Sequence, residues 1–128
     1  MKNRPLNPYA LQGMKKFNNR EFFTAHELFE AAWRDTENES KEFYRALLQI
    51  SAGYFRLTED LPKAASKFFR KANKWLEGFP NNYLNFDLHA LKKNLNDLSH
   101  LLSQGVAGET IVIQAYQPLT YKETAEES

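Results

Sequence analysis

Residues 22–33 read FFTAHELFEAAW, and this stretch decides the fold. With about 3.6 residues per turn, its apolar side chains form one face of a helix, and His26 and Glu30 lie one turn apart along the edge of that face. The apolar positions of the face are Phe22, Ala25, Phe29, Ala32 and Trp33. Because an ionisable group in apolar surroundings is costly unless it is paired, the stretch predicts a packed helix that carries a candidate polar site.

Helical patterns continue on both sides of this stretch. The Asn-Pro pair at positions 7–8 predicts the start of a preceding helix that ends near residue 18. Ser40 is predicted to cap a third helix over about residues 41–57, whose apolar stripe covers more than half of its circumference. A helix with so wide an apolar face contacts several neighbours, so this third helix is predicted to lie in the middle of the fold.

Two further helices follow in the second half of the chain. The fourth begins at Pro62, and the fifth runs from about Phe86 to Gly105 with leucines at steps of three and four. Residues 110–113 are β-branched and predict an extended or irregular tail over 106–128. The predicted fold is all-α: a compact bundle of about five helices arranged as helical hairpins, with a short extended C-terminal tail.

Length and composition restrict the class of protein. The 128 residues fit a single domain over 1–128, and the 14% of aromatic residues supply apolar area for its core. The chain has no cysteine, which excludes thiol chemistry and disulfides and favours the cytosol. No run approaches the roughly 18 apolar residues of a membrane span, so no membrane association is predicted. The net charge of +1 is too balanced to indicate a polyanionic partner.

The helix with histidine, glutamate and tryptophan resembles the domain of unknown function 309 family. The resemblance rests on Phe22, Ala25, His26, Glu27, Glu30 and Trp33, followed by the stretch 43–54 with Leu47, Leu48, Gln49 and Ala52. It is strongest over residues 17–76. The resemblance implies a small all-helical bundle with no established biochemical activity, so it informs the fold and leaves the function open.

A candidate polar site combines residues of the second and third helices. Its members are His26, Glu27, Glu30, Trp33, Arg45 and Gln49. In a structural interpretation they form a polar network that fixes how the two helices cross, and Glu30 is at least half buried. Arg45 is then its predicted partner and Gln49 the second choice. Arg34, one turn along the same helix, is a rival partner of Glu30.

The same residues allow two functional interpretations. In the first, they line a pocket in a helical binding or scaffold module. In the second, the protein is a small hydrolase-like or metal-dependent enzyme in which His26 acts with Glu27 or Glu30. Both interpretations stay open at the level of the sequence.

The segment HELFE at residues 26–30 invites comparison with zinc motifs that carry two histidines four residues apart. Here Glu30 occupies the second ligand position, and a zinc or iron site needs at least one further ligand. His89 and His100 share a face of the fifth helix away from its leucines, where exposure to solvent is predicted. The sequence therefore predicts no metal and no cofactor.

A candidate anion-binding row lies on the fourth helix. It consists of Lys63, Lys67, Arg70 and Lys74, at a spacing that can follow a phosphate backbone. An ordinary solvated face is the alternative. Phe68, Phe69 and Trp75 are predicted to lie on the buried side, where they cannot stack on bases. The sequence thus argues against a nucleic-acid partner and leaves an unknown protein or a small-molecule ligand, with the oligomeric state undecided.

Overall fold

The computed structural model of this protein describes residues 5–121. Within this range, the chain forms six α-helices and one hairpin of two short antiparallel strands. The helices are α1 Pro8–Asn18, α2 Phe22–Asp35, α3 Ser40–Thr58, α4 Pro62–Leu76, α5 Leu88–Ser103 and α6 Gly108–Ala115, and the strands are β1 Asn82–Tyr83 and β2 Phe86–Asp87. None of these helices has the length and apolar character needed to cross a membrane. The all-α prediction is confirmed, with α6 as an additional helix.

Local signals set several of the helix boundaries. The side chain of Asn7 accepts a hydrogen bond of 2.9 Å from the backbone N–H of Tyr9, and Asp87 accepts one of 3.0 Å from Ala90, so each caps the helix that follows it. Arg20 and Asp60 adopt positive φ angles of 62° and 57° in the short links after α1 and α3. These tight turns bring consecutive helices together as hairpins.

Helix α3 lies in the middle of the bundle, as its wide apolar stripe predicts. It packs against α2 on one side and α4 on the other, and α6 covers a further part of it. Its eleven buried residues are Ser40, Phe43, Tyr44, Ala46, Leu47, Ile50, Ser51, Ala52, Gly53, Tyr54 and Leu57. The edge of α3 that remains partly exposed lies between α2 and α4.

A cluster of aromatic rings around Tyr54 forms one end of the core. Its ring centroid lies 5.0 Å from Phe22, 5.4 Å from Phe17, 5.4 Å from Phe69 and 5.5 Å from Tyr116. Most of these pairs are edge-to-face, an arrangement that contributes beyond the area buried. The cluster joins α1, α2, α3, α4 and the segment after α6.

The hydroxyl of Tyr54 is satisfied inside this core. It donates a hydrogen bond of 3.0 Å to Oδ1 of Asn94, whose Nδ2 donates one of 2.8 Å to the carbonyl of Ala115. Tyr54 and Asn94 are both buried. Burial raises the pKa of Tyr54 well above its usual value, because the interior disfavours the phenolate. This chain of hydrogen bonds connects α3, α5 and α6.

Two glycines permit α3 to approach its neighbours closely. A Cβ at Gly53 would lie 2.5 Å from Cε1 of Phe69 on α4, and a Cβ at Gly108 would lie 2.5 Å from the carbonyl oxygen of Leu57 on α3. Real Cβ atoms do not come so near to other heavy atoms. The absence of a side chain at these positions therefore sets the α3–α4 and α3–α6 distances.

The tail prediction is wrong over residues 108–115, which form α6. Ile111 is fully buried in the core, Val112 is partly buried, and Ile113 is exposed. Preference of β-branched residues for strands is weak enough for such tertiary packing to override it. After α6 no further helix occurs in the described residues, and Tyr121 forms an antiparallel bridge with Phe86. The tail prediction for 122–128 lies outside the described residues.

Candidate functional site

One side of the molecule carries the polar stripe of α2. Phe23, His26, Glu30 and Trp33 follow one another at steps of three and four, so they share a face of α2. At one end of the stripe, the ring of Phe23 lies 5.2 Å from that of Phe55 on α3. At the other end, the ring of Trp33 lies under the guanidinium of Arg45, in the first half of α3. The stripe therefore runs antiparallel to the partly exposed edge of α3.

Glu27 does not belong to this face. Its side chain is exposed and lines a shallow depression together with Tyr9 of α1 and Arg34. The structure thus brings Trp33 beside α3 and places Glu27 toward α1, and Glu30 lines the same depression as Glu27.

Glu30 is partly buried, with 34% of its side chain exposed, but its partner is not the predicted one. Nη2 of Arg34 donates a hydrogen bond of 2.8 Å to Oε2 of Glu30. Arg34 lies one turn along the same helix and forms the pair without reaching across a helix interface. Arg45 instead lies 3.8 Å from Glu42 on its own helix. The predicted interhelical pair of Glu30 with Arg45 or Gln49 is therefore wrong.

We expect the change Glu30→Ala to lower the free energy of unfolding by only about 0–1 kcal/mol. The reason is that the Arg34 side chain is 71% exposed, so water already screens the pair and solvates the arginine when the glutamate is removed. Urea denaturation of the two proteins measures the difference. A loss of ~3 kcal/mol or more, as for a buried charged pair, would show that Glu30 has a structural role that its contacts do not reveal.

Arg45 lies over two tryptophan rings at the edge of α3. Its Cζ is 4.4 Å from the ring centroid of Trp75 on α4 and 5.4 Å from that of Trp33 on α2. The distance of 3.8 Å to Oε1 of Glu42 is an ion-pair contact and too long for a hydrogen bond. Within residues 5–121, Arg45 donates no hydrogen bond, although 38% of its side chain is exposed.

Lys41 is a second cation beside the ring of Trp33. Its Nζ lies 4.9 Å from the ring centroid of Trp33 and donates a hydrogen bond of 2.7 Å to the Trp33 carbonyl. Cation–π contacts of this kind are attractive and hold the indole in place. Trp33 is thus fixed by two cations from α3.

A groove opens beside Arg45, between the first half of α3 and the end of α4. Its volume is about 740 Å³, and its lining residues are Arg45, Gln49, Lys71, Lys74, Trp75, Glu77 and Gly78. This volume is in the range of small-molecule sites, about 300–1,000 Å³. The prediction that all three rings of α4 are buried is wrong for Phe68 and Trp75, which are only partly buried, and holds for Phe69.

The predicted basic row of α4 is divided by this geometry. Lys74 lines the groove, whereas Lys63, Lys67 and Arg70 are exposed and do not line it. Lys71 and Trp75, which the sequence did not single out as site residues, complete the α4 wall. Their spacing of four residues places them on one face of the helix, and this is the sequence signal that identifies them.

Four buried polar atoms of this region have no hydrogen-bond partner within the described part of the chain. They are Nδ1 of His26, Nε1 of Trp33, Oε1 of Glu42 and Oε1 of Gln49. All four belong to α2 and α3. Folded proteins pair the large majority of their buried polar atoms, and the four without a hydrogen bond here cluster on two neighbouring helices. The predicted structural network is therefore not satisfied by the protein itself.

The geometry around His26 offers no acid–base couple. Its ring stacks on Phe23 at 6.2 Å, Glu27 is exposed, and Glu30 is bonded to Arg34. Across residues 5–121, no three histidine or carboxylate side chains are grouped so that they could hold a metal ion. His89 and His100 are exposed, as predicted.

Comparison with known proteins agrees with the resemblance seen in α2 and α3. Residues 10–68 match a family model described as Domain of unknown function (DUF309). The match spans α1, α2, α3 and the first part of α4, so it contains His26, Trp33, Arg45 and Gln49. The match supports the predicted family, whose description assigns no activity. No curated protein matches the chain.

Proposed function

We propose that this protein, which carries the DUF309 domain over residues 10–68, is a helical binding module with its ligand site on the face formed by α2, α3 and α4. One observation carries the proposal: four buried polar atoms of α2 and α3 have no hydrogen-bond partner in the described residues. Gln49 also lines the groove between α3 and α4, so a ligand bound there would lie beside one of these residues. In this proposal these four polar residues serve to recognise a ligand.

The energetics support recognition over a structural network. A buried polar group without a partner costs about 1–3 kcal/mol. A network that only fixed the crossing of two helices would be expected to satisfy its own members, as the Tyr54–Asn94 pair does in the core. Half-buried indoles with a few convergent polar groups are also the usual lining of ligand sites.

The alternative of a hydrolase-like or metal-dependent enzyme lacks a comparable observation. His26 has an aromatic neighbour and no bonded carboxylate within the described residues. We therefore carry the binding module forward alone. Location in the cytosol stays a prediction from the cysteine-free sequence.

The two tryptophans provide a direct test of the proposal. The chain contains only Trp33 and Trp75, and both lie under Arg45. Their two indole N–H signals in a ¹H–¹⁵N correlation spectrum therefore report on this face, and Trp75→Phe assigns them. We expect a deproteinised cell extract to shift at least one of the two. Unchanged indole signals, or shifts confined to residues of α5 and α6, would refute a binding role for this face.

We expect Gln49→Leu to separate binding from stability. The carbonyl of Gln49 has no partner to lose, and leucine removes a buried acceptor that lacks one, so the free energy of unfolding should stay unchanged or rise by up to about 1–3 kcal/mol. The indole shifts caused by the extract should weaken, because a groove-lining amide is gone. Urea denaturation gives the stability and the correlation spectrum gives the binding. If Gln49→Leu lost stability and kept the shifts, the amide would be structural.

A further inference from the structure

The guanidinium of Arg45 lines the groove and has hydrogen-bond donors without an acceptor in the described residues. Guanidinium N–H groups lie in the plane of the group, so contacts of its faces with aromatic rings leave those N–H groups directed outward. Arg45 lies over both indoles, lines the groove and donates no hydrogen bond within residues 5–121. Carboxylates and phosphates are the acceptors that fit such a planar fork, often with two parallel hydrogen bonds.

The charges of the groove favour an anion. Arg45, Lys71 and Lys74 line it, and Glu77 is the one acidic residue of the lining. Glu42, 3.8 Å from Arg45, offsets part of the positive charge. The balance remains positive, so it suits a ligand with one or two negative charges and disfavours a cation.

Trp75, on the same α4 wall as the two lysines, adds a second chemical requirement. Trp75 is partly exposed and presents its indole to a groove of about 740 Å³, which is large enough for a small molecule. A planar ring packs well on such a surface. Gln49 belongs to the same lining, and the NH2 group of its amide can donate to an oxyanion.

These features together define a ligand class. On the premise of the proposed binding function, we propose that the groove between α3 and α4 binds a small organic anion that joins a planar ring to a carboxylate or phosphate. The oxyanion lies on Arg45, the ring lies on Trp75, and Lys71 and Lys74 supply the surrounding positive charge.

The test titrates four simple probes into the full ¹⁵N-labelled chain at low salt and follows the two indole signals. Phenyl phosphate and benzoate contain both ring and oxyanion, benzyl alcohol contains only the ring, and inorganic phosphate contains only the oxyanion. We expect one of the first two to shift the Trp75 signal with a dissociation constant at least tenfold lower than the last two. The stronger of phenyl phosphate and benzoate identifies the oxyanion. Equal binding of benzyl alcohol or of inorganic phosphate would overturn the proposal.

Variants of three basic residues test where the anion binds. We expect Arg45→Gln to weaken the better probe at least tenfold, and Lys74→Gln to weaken it about threefold. Arg70→Gln is the matched control, because Arg70 is exposed on the same helix and does not line the groove. Unaltered binding to folded Arg45→Gln would overturn the proposal. If Arg45→Gln does not fold, Lys74→Gln decides in the same way, since Lys74 is exposed.

The two proposals fail in distinguishable ways. If the cell extract shifts the indole signals and none of the four probes does, the ligand class is wrong and the binding function stands. If neither the extract nor any probe shifts them, both proposals are wrong.

Discussion

Gly53→Val is expected to lower the free energy of unfolding by about 3 kcal/mol or more, a severe case of overpacking. The new Cβ would lie 2.5 Å from Cε1 of Phe69 and 2.8 Å from its Cδ1 and Cζ. The ring cannot move aside easily, because it is 1% exposed and packs edge-to-face on Tyr54 at 5.4 Å. Helices α3 and α4 would have to separate. Urea denaturation, followed by circular dichroism, measures the loss.

Alanine variants supply the matched comparison for this prediction. Gly53→Ala gains about 1 kcal/mol of helix propensity and still suffers the clash, so it should destabilise less than valine does. Gly78→Ala has no heavy atom within 4 Å of the new Cβ and should change stability by no more than about 0.5 kcal/mol. Phe69→Leu should partly rescue Gly53→Ala. A stable Gly53→Val protein would show that α3 and α4 can repack without cost.

Asn94→Leu is expected to destabilise the protein by about 2–4 kcal/mol. The change preserves approximate size and removes both hydrogen bonds of the amide. It leaves the Tyr54 hydroxyl without its acceptor and the Ala115 carbonyl without its donor, in a region where Tyr54 is fully buried and Asn94 is 3% exposed. The contrast with Gln49→Leu, also an amide-to-leucine change, isolates the value of satisfied hydrogen bonds. Equal stability of the two variants would contradict this account.

Alkaline pH provides a second measurement on the same group. Unfolded Tyr54 loses its proton near the usual pKa of about 10, whereas burial keeps the folded side chain protonated to higher pH. The unfolded state then binds fewer protons, so the free energy of unfolding falls as the pH rises above about 10. We expect Tyr54→Phe to make this decline less steep, which urea denaturation at several pH values above 10 measures.

The sequence predicted the parts of this fold that depend on periodicity. The wide apolar stripe of α3 indicated its central position, and the spacing in α2 indicated which of its faces is buried. Both follow from positions within a single helix. The partial burial of Glu30 was predictable for the same reason, since it lies at the edge of the apolar face.

The contacts of long side chains between helices could not be predicted in this way. Arg45 lies on an edge of α3 from which it reaches both α2 and α4. The side chains that it contacts there depend on how those helices are rotated about their axes. Periodicity contains no information on that rotation. The prediction for residues 110–113 was wrong for a related reason. The close approach of Gly108 to Leu57 is a tertiary contact, and such contacts outweigh a local preference for strands.

The segment after α6 makes contacts with α1 that join the two ends of the described chain. Helices α1 to α4 are consecutive hairpins and can form from contacts between neighbours in the chain, which is the fast kind of folding. The Tyr116 hydroxyl then donates to the carbonyl of Phe17, 99 residues away, at 2.8 Å, and the Leu119 N–H donates to Oδ1 of Asn18 at 2.7 Å. Contacts between such distant residues form more slowly than contacts within a hairpin, because a long loop has to close first. During synthesis, the Tyr116 ring can therefore cover Phe17 and Phe22 only after it has left the ribosome.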